Sequence, residues 1–323
     1  MKGPISLLRR LGVAVAAFAA ISLSAHAYPD KPIRLIVPFP PGGSNDIVGR
    51  LVAAKLGEVL GQQIIIENKP GAGGTVGTAA AARAEPDGYT LLVASVAYAY
   101  APALRKLKYD PVKDFVTVGT MGTGPVAMSV NPEVPVASVQ ELVDYIKANP
   151  GKLTYSTAGI GSFQHLSSEL FRSMTGADMI HVPFKGGGPA MQSTIAGETN
   201  VNIGTLVQQI PQIQAGRLKV LGVGSSERNG ALPDVPTIDE AGVPGYLASN
   251  WWGILAPTGT PEAIVDQVSE ALAKVVESDD IKKALSDQGA AAMKMNPAEF
   301  AAFMTAEMEK WAKVVKDAGI EPN

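Results

Sequence analysis

Short apolar stretches alternate along this chain with stretches of helical periodicity, and the connections between them are short and rich in glycine and proline. Residues 33–38 form an apolar stretch typical of a strand, and apolar residues then recur at helical spacing over residues 47–60. Strands that alternate with helices through short connections pair side by side, with the helices on the faces. The pattern therefore predicts open, largely parallel α/β sheets covered on both faces.

The same order of strand, loop and helix continues along the chain. Strands are predicted at residues 33–38, 64–66, 91–94, 152–156 and 218–223, and helices at residues 47–60, 138–149, 162–174, from 189, from 260, at 281–288 and at 296–319. Ser138 and Glu141 have the spacing of a capping box, Ser162 is placed to cap a helix, and Pro189 is predicted at a first helical position. In a chain of 323 residues, two such runs predict two α/β lobes.

The N-terminus has the three parts of a secretory signal peptide. Lys2, Arg9 and Arg10 precede a small-residue apolar run, and residues 25–27 (Ala-His-Ala) provide a cleavage site. The apolar run spans residues 11–23, which is shorter than the roughly 20 residues that cross a bilayer. We therefore predict a signal peptide at residues 1–27 that is cleaved on export; a retained membrane anchor is the alternative.

Composition removes several classes of function. The formal net charge is −3, without long basic runs, so the chain lacks the electrostatic footprint of a nucleic-acid-binding protein. The chain has no cysteine, which excludes disulfides, thiolate metal sites, iron–sulfur clusters and a cysteine nucleophile. His165 and His181 follow the predicted signal peptide, and neither has the spacing of a metal ligand with a carboxylate. We predict no metal and no cofactor.

The most informative loop spans residues 38–46, with the sequence PFPPGGSND, between a predicted strand and a predicted helix. Ligands bind at this edge of open α/β sheets, and glycines let the backbone approach them closely. The free N–H groups of a first helical turn favour an anion such as a carboxylate without a cationic side chain. The alternative is that Gly42 and Gly43 only form a tight turn and that Asp46 only complements the helix dipole.

A second loop, residues 156–162 with the sequence STAGIGS, has the same construction with added hydroxyl groups. One such loop in each lobe predicts a cleft that holds both ends of a dicarboxylate, or a carboxylate and its polar tail. Phe39, Trp251 or Trp252 could supply an apolar wall to this cleft. Neighbouring residues on a strand point to opposite faces, so at least one of the two tryptophans is predicted to lie in the core.

Signatures of an enzyme are weak. Residues 71–77 (GAGGTVG) miss the dinucleotide-binding fingerprint by one position, and the chain has no Walker sequence and no Gly-x-Ser-x-Gly elbow. Ser162 and His165 could imitate a nucleophile and its base, but their spacing at a helix start is more typical of capping. We therefore predict that the protein is not an enzyme.

Eight segments, in order along the chain, carry a family resemblance. They are PFPPGGSND at 38–46, IENKPGAGGTVG at 66–77, DGYTLLVAS at 87–95, YDPVKDF at 109–115, NPGKLTYSTAGIGSFQHLSSELF at 149–171, HVPFKGGGPA at 181–190, ALPDVPTIDEAGVPGY at 231–246 and WWGILAPTGTP at 251–261. Together they resemble the substrate-binding family of tripartite tricarboxylate transporters, also called the Bug receptors. The resemblance covers essentially the whole predicted mature chain.

The resemblance implies a two-lobed periplasmic solute-binding protein, type II-like, that closes on a small organic carboxylate such as a di- or tricarboxylate or an aromatic acid. It implies a monomer that delivers this ligand to the membrane permease subunits of a tripartite tricarboxylate transporter. The first lobe is predicted at 28–126 and 247–323 and the second at 127–246, with crossing strands near 125–130 and 251–257 forming the hinge. A receptor of the same fold that signals to a membrane sensor, and an exported enzyme, remain alternatives.

The resemblance also implies ligand-binding residues, carried over position by position. In that family, main-chain groups and ordered waters of one loop in each lobe hold the proximal carboxylate without a salt bridge. The implied residues are Phe39, Pro40, Gly42, Gly43, Ser44, Asp46 and Ser95 in the first lobe, and Ser156, Thr157, Gly161, Ser162, Gln164, His165, Lys185, Gly186 and Thr205 in the second.

One position departs from the family pattern. In the segment NVNIGTLVQ at 200–208, Gly204 stands where the family usually has an acidic residue. An ammonium group buried without an acidic partner is costly. We therefore predict a ligand without an amine rather than an amino acid.

Overall fold

The computed structural model describes residues 28–317, and the predicted signal peptide lies outside the described residues. The strands of the described part are β1 (Ile33–Val37), β2 (Ile64–Asn68), β3 (Thr90–Ser95), β4 (Phe115–Val130), β5 (Thr154–Thr157), β6 (Ile180–Pro183), β7 (Val201–Thr205), β8 (Lys219–Val223), β9 (Ser249–Pro257) and β10 (Ala291–Ala292). Its α-helices are α1 (Ser44–Leu60), α2 (Thr75–Ala82), α3 (Val96–Leu104), α4 (Val139–Ala148), α5 (Phe163–Thr175), α6 (Gly187–Ile195), α7 (Leu206–Gln214), α8 (Glu262–Glu277), α9 (Asp279–Asp287) and α10 (Pro297–Asp317).

The described strands form a continuous mixed sheet in the order β2-β1-β3-β9-β4-β7-β5-β6, with β8 and β10 each paired to β4. Pairing is parallel between β1 and its neighbours β2 and β3, and between β5 and its neighbours β6 and β7. Each described pair that involves β4 or β9 is antiparallel. The sheet is mixed rather than largely parallel because these two strands run back through its middle.

Strand β4 connects the two parallel groups of strands. Over residues 115–125 it pairs with β9, and over residues 126–130 it pairs with β7 and β8. This change of partner, at Val126, falls where the predicted boundary between the lobes lies. Contacts place the described residues from Lys31 onward in one compact unit, and the division into two lobes stays a prediction.

Local capping groups set the starts and ends of several helices. Ser138 Oγ accepts the N–H of Glu141 at 3.1 Å, so the predicted capping box begins α4. Ser162 Oγ accepts the N–H of His165 at 3.2 Å, which confirms the predicted cap of α5. Gly61, at a φ of 72°, ends α1 in the left-handed conformation that favours glycine.

The helices differ from the sequence-based expectations in the position of Pro189 and in α2, α3 and α7, none of which was predicted. Pro189 is the third residue of α6, which begins at Gly187, so its predicted first position is wrong. The first-turn N–H groups of a helix lack helical partners, so proline is tolerated beyond the first position. Helices α3 and α7 were not predicted, because Pro102 and Pro211 interrupt short apolar segments that carry no capping side chain.

Helices pack against the sheet and bury an apolar core. Ile36, Leu92 and Tyr155 are at most 1% exposed and belong to the same buried cluster. None of the helices in the described part is both long and apolar enough to cross a membrane.

Candidate ligand-binding site

A cavity of about 50 Å³ lies where the loop after β1 meets the loop after β5. A buried water needs roughly 10–15 Å³ measured in this way, so the cavity has room for several solvent-sized groups. It is lined by Phe39, Pro40, Gly43, Ser44, Asn45, Ser95, Ala97, Tyr100, Ala158, Ser162, Phe163, Gln164, Gly187, Thr205, Gln208 and Asn250. Asp, Glu, Lys, Arg and His are missing from this set of described residues.

The N-termini of five helices meet at this cavity. The residues that precede or begin α1, α3, α5, α6 and α7 all line it: Gly43, Ser95, Ser162, Gly187 and Thr205. Of these five, only α5 is capped by the side chain of its own N-cap residue within the described chain, and at α3 the N–H of Val96 is bound by Asn250 Oδ1. Unpaired N–H groups and the positive ends of helix dipoles attract an anion, so the cavity is suited to negative charge without a cationic residue.

The first loop is held by Asp46, which lies beneath it rather than in the cavity. The Asp46 carboxylate accepts hydrogen bonds from the Gly42 N–H at 3.0 Å, Arg50 Nε at 2.9 Å and Asn68 Nδ2 at 2.9 Å. Burial raises the pKa of Asp46, but these hydrogen bonds outweigh it and leave the pKa below its usual value. Asp46 therefore keeps Gly42, at a φ of 79°, in the turn that exposes the start of α1.

Uncharged polar side chains form the floor of the cavity on the first-loop side. Trp252 Nε1 donates to Asn45 Oδ1 at 2.8 Å, and Asn45 Nδ2 donates to Ser95 Oγ at 3.3 Å. The N–H of Val96 donates to Asn250 Oδ1 at 3.2 Å, which joins β9 to the start of α3. Both Asn45 and Asn250 line the cavity, so its floor is fixed by β3, β9 and α1 together.

The two tryptophans point to opposite sides of β9, and both are buried. Trp252 reaches Asn45 beneath the cavity, whereas Trp251 Nε1 donates to Glu307 at 2.9 Å and its ring packs against Phe300. Neither indole lines the cavity. The aromatic wall comes instead from Phe39, together with Tyr100 and Phe163, which the sequence analysis did not single out.

The second loop is supported by hydrogen bonds around two histidines. Ser162 Oγ caps α5 and accepts the backbone N–H of His165, which is the capping role that their spacing in the sequence indicates. His165 Nδ1 accepts the N–H of Gly161 at 3.2 Å, and Thr157 Oγ1 lies 2.7 Å from His181 Nε2. These side chains shape the loop from behind.

The two imidazoles stack on each other at 4.4 Å and face an ionic group on α5. Burial lowers the pKa of His165, and burial together with the neighbouring His165 lowers the pKa of His181 to about 4. Arg172 donates to Glu169 at 2.8 Å, and the Tyr155 hydroxyl also hydrogen-bonds to Glu169. Burial raises the pKa of Glu169, but these partners lower it below its usual value.

Loops from the two sides of the cavity touch at its rim. Arg105, just after α3, donates from Nη2 to the carbonyl of Ile160 in the second loop at 3.0 Å. A methyl group built on Gly186 would lie 2.6 Å from Cγ of Pro40, so the loop before α6 is packed against the first loop. These contacts join the second loop to the segment after α3, and the loop before α6 to the first loop.

The residues implied by the resemblance fall into two groups of equal size. Those that line the cavity are Phe39, Pro40, Gly43, Ser44, Ser95, Ser162, Gln164 and Thr205, and those that lie outside its lining are Gly42, Asp46, Ser156, Thr157, Gly161, His165, Lys185 and Gly186. Ser156 is fully buried and paired with Thr194 at 2.8 Å, and Lys185 is exposed. The sequence analysis did not single out Asn45, Gln208 or Asn250, which also line the cavity, although Asn45 lies within the first-loop motif.

A mixed α/β fold with an uncharged cavity at converging helix N-termini is that of a periplasmic solute-binding protein. The chain belongs to the family described as the tripartite tricarboxylate transporter family receptor (TctC), whose model matches residues 48–320. It is similar to protein BugT of Bordetella pertussis, with 36% identity over 317 residues that cover 97% of each chain. The predicted family is thereby confirmed.

Two solved structures from Rhodopseudomonas palustris are similar to this chain over nearly its whole length. One, a protein solved with adipate, is 35% identical, has a TM-score of 0.89, and is matched over 92% of this chain and 100% of that one. The other, MatC with bound malate, is 35% identical, has a TM-score of 0.84, and is matched over 89% of this chain and 100% of that one. The predicted fold class is confirmed by these structures.

Proposed function

We propose that the protein binds a small organic carboxylate in this cavity, in the periplasm, and delivers it to the membrane subunits of a tripartite tricarboxylate transporter. The observation that carries the proposal is a cavity without charged side chains onto which five helix N-termini converge. Such N-termini bind carboxylates through backbone N–H groups and the helix dipole. The adipate and malate in the two similar structures, both dicarboxylates, support the same ligand class.

Closure of two lobes is part of the proposal. The lobes are residues 28–126 with 247–323, and residues 127–246, and β4 and β9 cross between them. The change in β4 pairing at Val126 supports this division. The contact of Arg105 with Ile160 and that of Pro40 with Gly186 then belong to the closed state. The ligand favours closure only by binding the closed state more tightly than the open one.

Export is a further part of the proposal. Cleavage after residue 27 would release the chain into the periplasm, where the receptor acts as a monomer. N-terminal sequencing of the protein recovered from the periplasm tests this step, and a chain that begins at Tyr28 is expected. A chain that retains residues 1–27 would contradict it.

Binding is tested by thermal shift and calorimetry on refolded protein, so that no co-purified acid remains in the cavity. The panel contains succinate, malate, adipate, citrate, benzoate, aspartate and glutamate. An acid at about 100 times its dissociation constant should add roughly 2.7 kcal/mol to the free energy of unfolding, which raises Tm by several degrees. Because only uncharged residues line the cavity, the lining should add no pH dependence of its own between about pH 6 and 8, and any change in affinity there should follow the ionisation of the acid itself. No shift with any acid, in folded protein, would contradict the proposal.

The transporter role is tested separately by uptake of the labelled acid. Cells that lack the receptor should lose uptake, and the intact chain should restore it. Binding in vitro with uptake preserved in the deletion strain would favour a sensing receptor instead. Formation of a product from the bound acid would favour an exported enzyme.

A further inference from the structure

The imidazole of His165 is tied to the second loop by a hydrogen bond that only the neutral ring can make. His165 Nδ1 accepts the N–H of Gly161 at 3.2 Å. A backbone N–H only donates, so Nδ1 must keep its lone pair, and the proton of the neutral ring lies on Nε2. Gly161 has a φ of 71° and directly precedes Ser162, which lines the cavity. The neutral ring therefore fixes the turn that leads into the start of α5.

The neighbouring imidazole of His181 is tied to the same loop by a bond that either form of the ring can make. His181 Nε2 lies 2.7 Å from Thr157 Oγ1, and a hydroxyl donates to a neutral ring or accepts from a charged one. Protonation of His181 therefore keeps the bond to Thr157. Protonation of His165 at Nδ1 instead turns one N–H group against another and breaks the bond to Gly161.

The surroundings of His165 disfavour a positive charge. The charged and titratable groups around the two imidazoles and the second loop are Glu169 and Arg172 on α5, Tyr155 on β5, His181 on β6 and Arg105 after α3. Burial, and to a lesser degree Arg172, lowers the pKa of His165, and Glu169 opposes this only in part. His165 is also the third residue of α5, where the helix dipole disfavours a cation. The ring is therefore neutral at pH 7 and takes up a proton only in acid.

We propose that His165 is a positioning residue of the ligand-binding site: its neutral ring keeps the second loop in the form that binds the acid, and protonation of the ring weakens binding. The inference rests on the carboxylate-binding function proposed above. The proton and the bound acid then oppose each other, so each weakens the binding of the other by the same factor. The protein thus releases its ligand more readily in acid, although no residue of the cavity lining in the described chain carries a titrating carboxyl, amine or imidazole.

Calorimetry with succinate, malate and adipate tests the proposal on the refolded wild-type protein and two variants. In His165→Asn the amide oxygen replaces Nδ1 as the acceptor of the Gly161 N–H but does not titrate, so this variant should bind like wild type at pH 7. His165→Leu has no acceptor and should bind about three- to tenfold more weakly at pH 7. Circular dichroism at each pH checks that the proteins are folded.

The pH profile gives the readout that a merely structural role would not move. Between pH 7 and 4, the affinity of wild type should fall about three- to tenfold relative to that of His165→Asn. The comparison uses the same acid at the same pH, so ionisation of the acid cancels. In His181→Asn the fall should persist, because His165 is still present.

Nuclear magnetic resonance gives a second measurement that needs no variant. The described residues contain two histidines, His165 and His181, so the two ring titrations can be followed separately. The Gly161 amide signal should shift as the His165 ring titrates. With the acid bound, the pKa of His165 should be lower than in the free protein, as the linkage requires.

The outcomes separate the positioning role from the function on which it rests. An affinity of wild type that stays within twofold of a constant ratio to that of His165→Asn would overturn the role and leave a carboxylate receptor. Wild-type affinity at pH 7 in folded His165→Leu, or a fall that disappears in His181→Asn, would also overturn it. If the variants do not fold, a His165 titration that is the same with and without the acid overturns it. If no acid binds at any pH, the proposed function fails, and the positioning role fails with it.

Discussion

The contact between Gly186 and Pro40 gives the most direct test of closure. The backbone of Gly186 has a φ of 151°, and a methyl group built there would lie 2.6 Å from Pro40 Cγ and 3.0 Å from Cδ. Carbon atoms in favourable contact are about 3.5–4.0 Å apart. In Gly186→Ala, the added methyl group would therefore hold the two loops about 1 Å further apart, so the cavity could not close fully.

The expected loss of affinity follows from that separation. Overpacking at a rigid contact typically costs about 1–3 kcal/mol. Under the proposed closure, the cost applies only when the loops meet, so it is subtracted from the binding free energy rather than from the stability of the open protein. The dissociation constant should rise by about 5- to 150-fold.

The assay is calorimetry of Gly186→Ala with an acid that the wild-type protein binds. Gly176→Ala is a control for alanine at a positive φ without overpacking, because Gly176 has a φ of 67° and a methyl group there has no atom within 4 Å. Gly186 has a φ of 151° and a ψ of 166°, a region that essentially only glycine adopts, so the strain of alanine there is measured separately as the loss of stability of unliganded Gly186→Ala. An affinity within twofold of wild type, in folded Gly186→Ala, would refute the reasoning.

Further predictions concern the first loop, pH and the core behind the cavity. Gly43 has a φ of −82°, close to that of proline, so Gly43→Pro should fold. Because it loses a backbone N–H at the cavity, it should bind the acid at least about tenfold more weakly, whereas Gly43→Ala should bind it nearly normally. Tight binding of the acid by Gly43→Pro would refute the assignment of the first loop. His181 stays neutral in the folded protein down to about pH 4, while the unfolded chain takes up a proton near pH 6.5, so Tm should fall as pH is lowered between these values. His181→Asn should make that slope shallower, as followed by circular dichroism; an unchanged slope would mean that His181 does not cause it. Glu307 accepts hydrogen bonds from the indoles of Trp251 and Trp311. Glu307→Ala should therefore lower the free energy of unfolding, measured by urea denaturation, by about 2–3 kcal/mol. The control Glu309→Ala, at an exposed position, should lower it by at most about 0.5 kcal/mol.

Much of the fold could be predicted from local signals. The capping groups Ser138 and Ser162 and the terminal Gly61 act within a few residues of themselves, so their helices begin and end as the sequence indicates. The long strand β4 could not be predicted over its whole length, because Gly119 and Gly122 favour no strand and its extension depends on pairing with β9.

The site was predicted only in part, for a similar reason. The two glycine-rich loops were recognised because a strand end followed by a helix start is a local pattern. Asn250 reaches the cavity because β9 lies beside β3, and its partner, the N–H of Val96, is 154 residues away in the chain. No periodicity or spacing in the sequence reports such a contact, since it depends on the order of strands in the sheet.

The sequence by itself predicted the two glycine-rich loops that precede α1 and α5, and from them a site suited to an anion. Only the tertiary structure decided which polar side chains line that site. Asp46 and Thr157 turned away to hold the loops, whereas Gln164 and Gln208 were brought together over Gly204. The reason is physical: backbone N–H groups at a helix start are fixed by local geometry, but a side-chain cluster exists only where separate elements pack against one another.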